Sequence, residues 1–339
     1  MMMSKDDKKT LFLSIILMIA LIIIFGAAII IGKYPISLEA LIGIIKGHPE
    51  LYQVQYSIIN KLRIPRTIAA LLIGSSLSVS GLIYQEIFRN KLVSPDFLGV
   101  SSGASVGAAL AIVLGLSNVF ISGFAFVTGL SAMILTLVLA NIINRQSPTI
   151  LVLSGIVVSS LMSAIISIIK YAAPSEVILA DITFWLMGSF SSIKMNGIYV
   201  LLPIVLAGMS ILFILRWKIN IIGQGMYEAQ TQGLNYKRYQ IFVICIVTLL
   251  TAISVAFAGV IGWIGLVVPH IIRSFVGKNT KHTIPLTILF GGIFAILADV
   301  LSRTFTSSEI PISAITGLLG TLIFGTTLIL NRRKHHDLT

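Results

Sequence analysis

Apolar runs of about 20 residues recur along the whole chain, and each is long enough to cross hydrocarbon as a helix. They fall at Leu11–Ile31 and at 65–87, 97–117, 122–143, 149–169, 197–217, 239–259, 261–275, 284–302 and 310–330. With 56% of its 339 residues hydrophobic and 11% charged, the chain carries more apolar surface than a soluble globule can bury. The reading is an all-α polytopic membrane protein of about ten transmembrane helices. A soluble enzyme, a disordered tail and a nucleic-acid binder are disfavoured as classes. The run at 261–275 is short and carries Pro269, and the segment 178–190 is too short to cross unaided, so it is read as a partial or interfacial helix.

The net charge of +12 reads as topology. Placing both termini inside puts 16 of the 24 Lys and Arg residues, Arg145 and Arg332 to Lys334 among them, on the cytoplasmic side and eight outside. The first run lacks a small-residue cleavage site before Lys33, so it is expected to be retained as a helix rather than cleaved as a signal peptide. Residues 1–10 and 331–339 are then cytoplasmic tails, with His335 and His336 solvated, flanking a transmembrane domain at 11–330. Trp185, Trp217 and Trp263 fall near span ends, as interfacial anchors do. Cys245 is the one cysteine, which excludes an intrachain disulfide.

Charges inside or at the edge of a lipid-facing bundle cost several kcal/mol unless they are paired or wet, so the few present carry most of the functional information. Arg63 and Arg66 flank Ile64-Pro65 at the outer end of the second span; Pro65 is expected to hold Ile64 extended, leaving Arg63 in the approach and Arg66 in the helix. Cations at a helix N-terminus oppose its dipole. They suit either an acidic partner or lipid headgroups. Asp299 and Arg303, spaced i,i+4 at the outer end of the ninth span, can pair on one helix face, and Glu309 suits the start of the tenth. An internal ion pair is one reading and a carboxylate proton relay the other.

The inner loop at 218–238 is too long for a plain connector and carries Gly225, Ala229 and Gly233 at four-residue spacing around Glu228. Small residues at that spacing let another surface approach the backbone, which marks a docking site for a cytoplasmic protein, or else a solvated surface helix. Gly99, Gly103 and Gly107 form a stripe whose first reading is close helix packing and whose second is a pore lining. His270 has no ligand cluster around it. No GxxxxGK[ST] loop, HExxH or GxSxG is present, so the energy for any active transport must come from another chain or an ion gradient.

Four ordered motifs, Leu62-Arg-Ile-Pro-Arg66, Gly99-Val-Ser-Ser-Gly-Ala104 after Asn90-Lys-Leu-Val-Ser-Pro95, Gly262-Trp-Ile-Gly-Leu-Val-Val-Pro-His-Ile-Ile-Arg273, and Ala298-Asp-Val-Leu-Ser-Arg303 leading to Glu309-Ile-Pro311, resemble the FecCD-type permeases of bacterial ABC importers for iron-siderophore complexes, haem and cobalamin. The resemblance implies a type II ABC importer permease fold in the cell membrane. The expected partners are a second permease, identical or homologous, two ATPase subunits holding the ATP and Mg, and an extracytoplasmic substrate-binding protein that delivers a ferric siderophore. No cofactor is expected on this chain. By the same resemblance, Arg63, Arg66 and Arg303 face acidic side chains of the binding protein, and Gly225 to Gly233 form the coupling helices that rest on the ATPase. The chain departs from the family pattern at Ser313, where glycine is usual, at Leu322, where proline is usual, and at Met226 and Tyr227, where acids are expected. The first two suggest a straighter tenth helix.

Overall fold

The computed structural model describes residues 4–144, 148–306 and 308–336, the side chains of 38, 45, 144, 148 and 328–336 excepted. Arg145 and the side chains of Arg332 to His336 lie outside that description. Among the described residues the chain is helical without strands: α1 (Lys5–Ile30), α2 (Leu38–Ile45), α3 (Gln53–Ile58), α4 (Ile64–Ile87), α5 (Val100–Val113), α6 (Asn118–Asn144), α7 (Pro148–Tyr171), α8 (Glu176–Leu186), α9 (Met195–Ile214), α10 (Arg216–Gln224), α11 (Met226–Thr231), α12 (Tyr236–Ala258), α13 (Ile264–Val276), α14 (Thr280–Thr304) and α15 (Ile312–His336). Seven helices are long and apolar enough to cross a bilayer, and three shorter apolar ones, Val100–Val113, Ile264–Val276 and Ile312–Thr327, occupy the remaining expected runs. Of the segment at 178–190, residues 178–186 lie in the 11-residue α8, too short to cross, and 187–190 follow it.

α4 is the axis of the bundle. Lipid gives helices no hydrophobic reason to associate, so close backbone approach and interhelical hydrogen bonds must hold them, and α4 is built for both. Gly74 lies on Gly291 and Ala295 of α14, and Gly81 lies on Gly265 of α13. Ser75 Oγ donates to the Ile288 carbonyl (2.7 Å), and Tyr84 shares a hydrogen bond with Thr248 of α12 (2.6 Å). Each such bond contributes roughly 0.6 to 2 kcal/mol in a membrane. α1, by contrast, buries only Ala28 among its residues.

Two local expectations are corrected. Ile64 is helical rather than extended (φ −61, ψ −52), because a wide turn over Ile59–Arg63 precedes it and its N–H reaches back five residues to the Ile59 carbonyl. That π turn absorbs the Pro65 ring, which would otherwise meet the carbonyl four residues behind, so the chain enters α4 without a break. Trp263 is not an interfacial anchor at a span end. It has a left-handed backbone (φ 70) at the head of α13, packed on Gly317 and Gly320 of α15. The first turn of α13 touches Leu77 and Gly81, well inside the α4 span, so residues 259–263 cross part of the bundle between the two helices.

The backbone groups freed there are met by distant segments. The Ser189 N–H donates to the Ala258 carbonyl at the end of α12 (2.8 Å), and the Ser189 segment is tied in turn to the head of α15, where the Ile312 N–H donates to the Gly188 carbonyl and the Ser313 N–H to the Met187 carbonyl (both 3.2 Å). The Ser313 hydroxyl donates to the Val260 carbonyl (2.5 Å), which gives the serine standing in place of the usual glycine a partner.

Candidate functional site

Two clusters lie at opposite ends of the bundle. At one end, α1 finishes beside the start of α4 and the end of α14. A helix leaves its last four carbonyls without intrahelical donors, and two arginines supply them. Arg63 Nη1 donates to the carbonyls of Ile29 (2.7 Å) and Ile30 (2.6 Å), and its Nη2 donates to that of Tyr34. Arg303 Nη2 donates to the Ala28 carbonyl (2.6 Å). The α1 C-terminus is the negative end of a helix dipole, so the cations that looked unfavourable at the head of α4 are favourable at the tail of α1. Gly32 leaves room for this: a Cβ there would sit 2.8 Å from Arg63 Nη2.

Arg66 does a different job. Its Nε donates to Asp299 Oδ1 (2.6 Å) and its Nη1 to Glu309 Oε1 (2.8 Å), joining α4 to α14 and to the turn before α15. Asp299 Oδ2 lies 3.4 Å from Arg303 Nε, which is the i,i+4 pair expected on α14. The turn is fixed further where the Ile310 N–H donates to the Ser302 carbonyl (3.0 Å) and the Ser302 hydroxyl donates to the Ile310 carbonyl.

Arg63, Arg66 and Arg303, expected to face outward, are each under a tenth exposed and are paired within the bundle. Their partners are inside the bundle because lone charges in hydrocarbon are too costly to leave unpaired. Arg66 and Arg303 meet two carboxylates and Arg63 meets backbone carbonyls, and the side chain of Glu309 is 38% exposed, so among the described residues the cluster holds three cations to two anions beside an accessible carboxylate.

At the other end, α10 and α11 form a short hairpin. Gly225 (φ +132) breaks the helix between them and Gly233 (φ +74) ends the turn after α11; L side chains rarely adopt either conformation. Ala229 is fully buried and anchors α11, whereas Met226 and Tyr227 are exposed. Glu228 also lies on the open side, its carboxylate beside Gly225, which the Arg89 guanidinium flanks as well. The result is a six-residue helix held at its base and offered at its tip.

Gly99, Gly103 and Gly107 are positioned for packing. A Cβ at Gly103 would lie 2.7 Å from the Thr128 carbonyl, and one at Gly107 would strike Thr128 and Phe124, all on α6. Gly99 (φ +77) turns the chain into α5 and faces Val158 and Ser159 of α7.

Sequence reasoning missed a third cluster beneath α4. Arg273 of α13 donates from Nη1 to Gln85 Oε1 (2.5 Å) and from Nη2 to Glu86 Oε1 (3.0 Å). The signal available was an acid and an amide closing one apolar span and an arginine closing another, both assigned to the same side.

The chain matches the FecCD transport family over residues 18–330. It is 36% identical over 324 residues to the molybdate import system permease protein MolB of Haemophilus influenzae, covering 94% of each chain. It is 38% identical over 269 residues to a probable iron chelatin transport system permease protein of Helicobacter pylori, covering 79% of this chain and 81% of that one. A solved chain from a metal-chelate type ABC transporter in an inward-facing conformation superimposes with a TM-score of 0.84 at 34% identity, covering 93% of this chain and 98% of that chain. The helices and the ten apolar segments agree with the type II ABC importer permease fold. With the family matched across nearly the whole bundle, the protein belongs to the FecCD transport family as a multi-pass ABC transporter permease.

Proposed function

We propose that this permease pairs with a second permease to carry a ferric siderophore across the bacterial cell membrane, worked by two separate ATPase subunits that hold the ATP and Mg. The observation that carries this reading is the α10–α11 hairpin, a short exposed helix set between two left-handed glycines, with no phosphate-binding loop elsewhere in the sequence. Its docking face is Met226, Tyr227 and Glu228. The family's acids are absent at the first two positions, so contact with the ATPase is mainly apolar and aromatic. The opposite end receives the binding protein. Arg63, Arg66 and Arg303 attract its acidic side chains through their excess charge while holding the outer turn in shape.

Iron chelate is favoured by the Helicobacter pylori relative and the metal-chelate transporter. Molybdate is the second reading, favoured by a match over 94% of both chains. Vesicles containing permease, ATPase and binding protein, loaded with ATP inside, are expected to accumulate radioiron from a ferric hydroxamate and to ignore labelled molybdate. Uptake that persists without ATP and collapses with an ionophore would instead make this a gradient-driven carrier. The acid that alternative draws on, Asp299, already lies between Arg66 and Arg303.

Topology gives a separate check. In a Cys245→Ser background, a Tyr227→Cys variant is expected to react with a membrane-impermeant maleimide in inverted vesicles and to stay unlabelled in intact cells. Labelling from outside would reverse the assigned orientation.

A further inference from the structure

Gln85 and Glu86 sit side by side at the end of α4, and between them they touch the elements that a moving α11 would have to influence. The Gln85 amide oxygen accepts from Arg273 near the end of α13, while its Nε2 donates to the Gly265 carbonyl in the first turn of the same helix (3.3 Å) and to the Val93 carbonyl ahead of α5 (3.1 Å). One buried amide thus grips both ends of α13. This is possible because side chains lean toward the N-terminus of a helix, so Arg273 reaches back along α13 to meet it.

Glu86 faces two ways. Oε1 pairs with Arg273 Nη2, and Oε2 lies against α10, where a Cβ on Gly223 would be 3.1 Å from it. Gly223 is two residues from Gly225, the hinge into α11. The side chains of Arg273 and Glu86 are 8% and 19% exposed, so neither is a surface ornament that water could replace. α13 is also the helix that begins partway through the bundle after an unwound stretch, which makes it the span with the fewest helical bonds holding it in register.

We propose that Gln85, Glu86 and Arg273 are positioning residues for transport: they form the junction through which displacement of α10–α11 is passed to α13. The inference rests on the reading of α11 as the ATPase docking helix. A contiguous polar bridge between packed helices is a physical route for such coupling, and its worth is set by how much it biases α13 between two placements. Glu86→Gln and Arg273→Gln remove the charge pair and leave the face of α11 untouched. Gly223→Leu leaves both charges and displaces Glu86.

The test measures iron uptake and ATP hydrolysis in the same vesicles, using a labelled ferric hydroxamate with the complete importer. For each variant, hydrolysis stimulated by the loaded binding protein is expected to stay within about twofold of wild type while uptake falls about tenfold, inside the 5–150-fold range of ordinary allosteric couplings. The swapped pair Glu86→Arg with Arg273→Glu is expected to recover part of the uptake lost in either single swap. Uptake and hydrolysis falling in step, uptake unchanged, or loss of the assembled complex in all three variants would overturn the proposal. Wild-type vesicles that move no iron on ATP would instead sink the proposed function, with hydrolysis and assembly still readable in the variants.

Discussion

Replacing Arg66 with leucine is expected to destabilise the protein by about 3–5 kcal/mol, the usual cost of removing one partner from a buried ion pair. Asp299 is 1% exposed and takes its short hydrogen bond from Arg66 Nε, so the variant leaves a carboxylate with only the 3.4 Å contact to Arg303. Glu309 loses its partner too, but its side chain is 38% exposed and can turn to water. Asp299→Leu should cost a similar amount, because it removes the carboxylate that Arg66 and Arg303 share, leaving them Glu309 and the Ala28 carbonyl respectively. The double variant Arg66→Leu with Asp299→Leu should cost clearly less than the sum of the two, since the central pair then leaves together. Denaturant titration of the purified permease in detergent checks this cycle. A loss within about 0.5 kcal/mol for Arg66→Leu would mean that the side chain behaves as a free surface cation, as for ordinary exposed positions.

The second large effect is expected at Gly81. A Cβ there would lie 2.7 Å from the Gly265 Cα and closer still to the Gly265 carbonyl, so the obstacle is backbone and cannot swing aside. Gly81→Ala should therefore push α4 and α13 apart and destabilise by about 1–3 kcal/mol, the range found for overpacked cores. Larger residues at this position should prevent accumulation of folded permease. Gly26 of α1 is the control: nothing lies within 4 Å of its added Cβ, so Gly26→Ala should be near neutral. Comparable stability for the two variants would show that α4 and α13 are not in backbone contact in the membrane.

Much of this architecture was legible because the bilayer dictates element length. A helix must satisfy its own backbone through about 20 residues, so each apolar run had one available structure. The same rule fails where protein, rather than lipid, surrounds the chain. The unwound stretch at 259–263 is tolerated because Ser313 meets its Val260 carbonyl, and Ser189 the adjoining Ala258 carbonyl, from far away in sequence. The arginines show the same limit. Their position at the head of α4 was visible, and so was the charge–dipole conflict, but the partner that resolves it is the tail of α1, some 33 residues earlier for Arg63. The Asp299–Arg303 pair was readable since i,i+4 is a local spacing; Arg66, 233 residues away, was not assignable to it. The glycines at 225 and 233 could be found by spacing, yet the junction at Gln85, Glu86 and Arg273 could not, because three separate helices supply its surroundings.

The stitching around Ala258 and Val260 has one more consequence. Met187 to Ser189, Ala258 to Val260, and Ile312 with Ser313 lend each other the backbone donors and acceptors that none of them can satisfy alone. In hydrocarbon, tearing any one of these strips from the other two would strand polar groups with no water to replace the loss. Whatever aperture the permease opens near this seam, its three strips must swing as a single leaf.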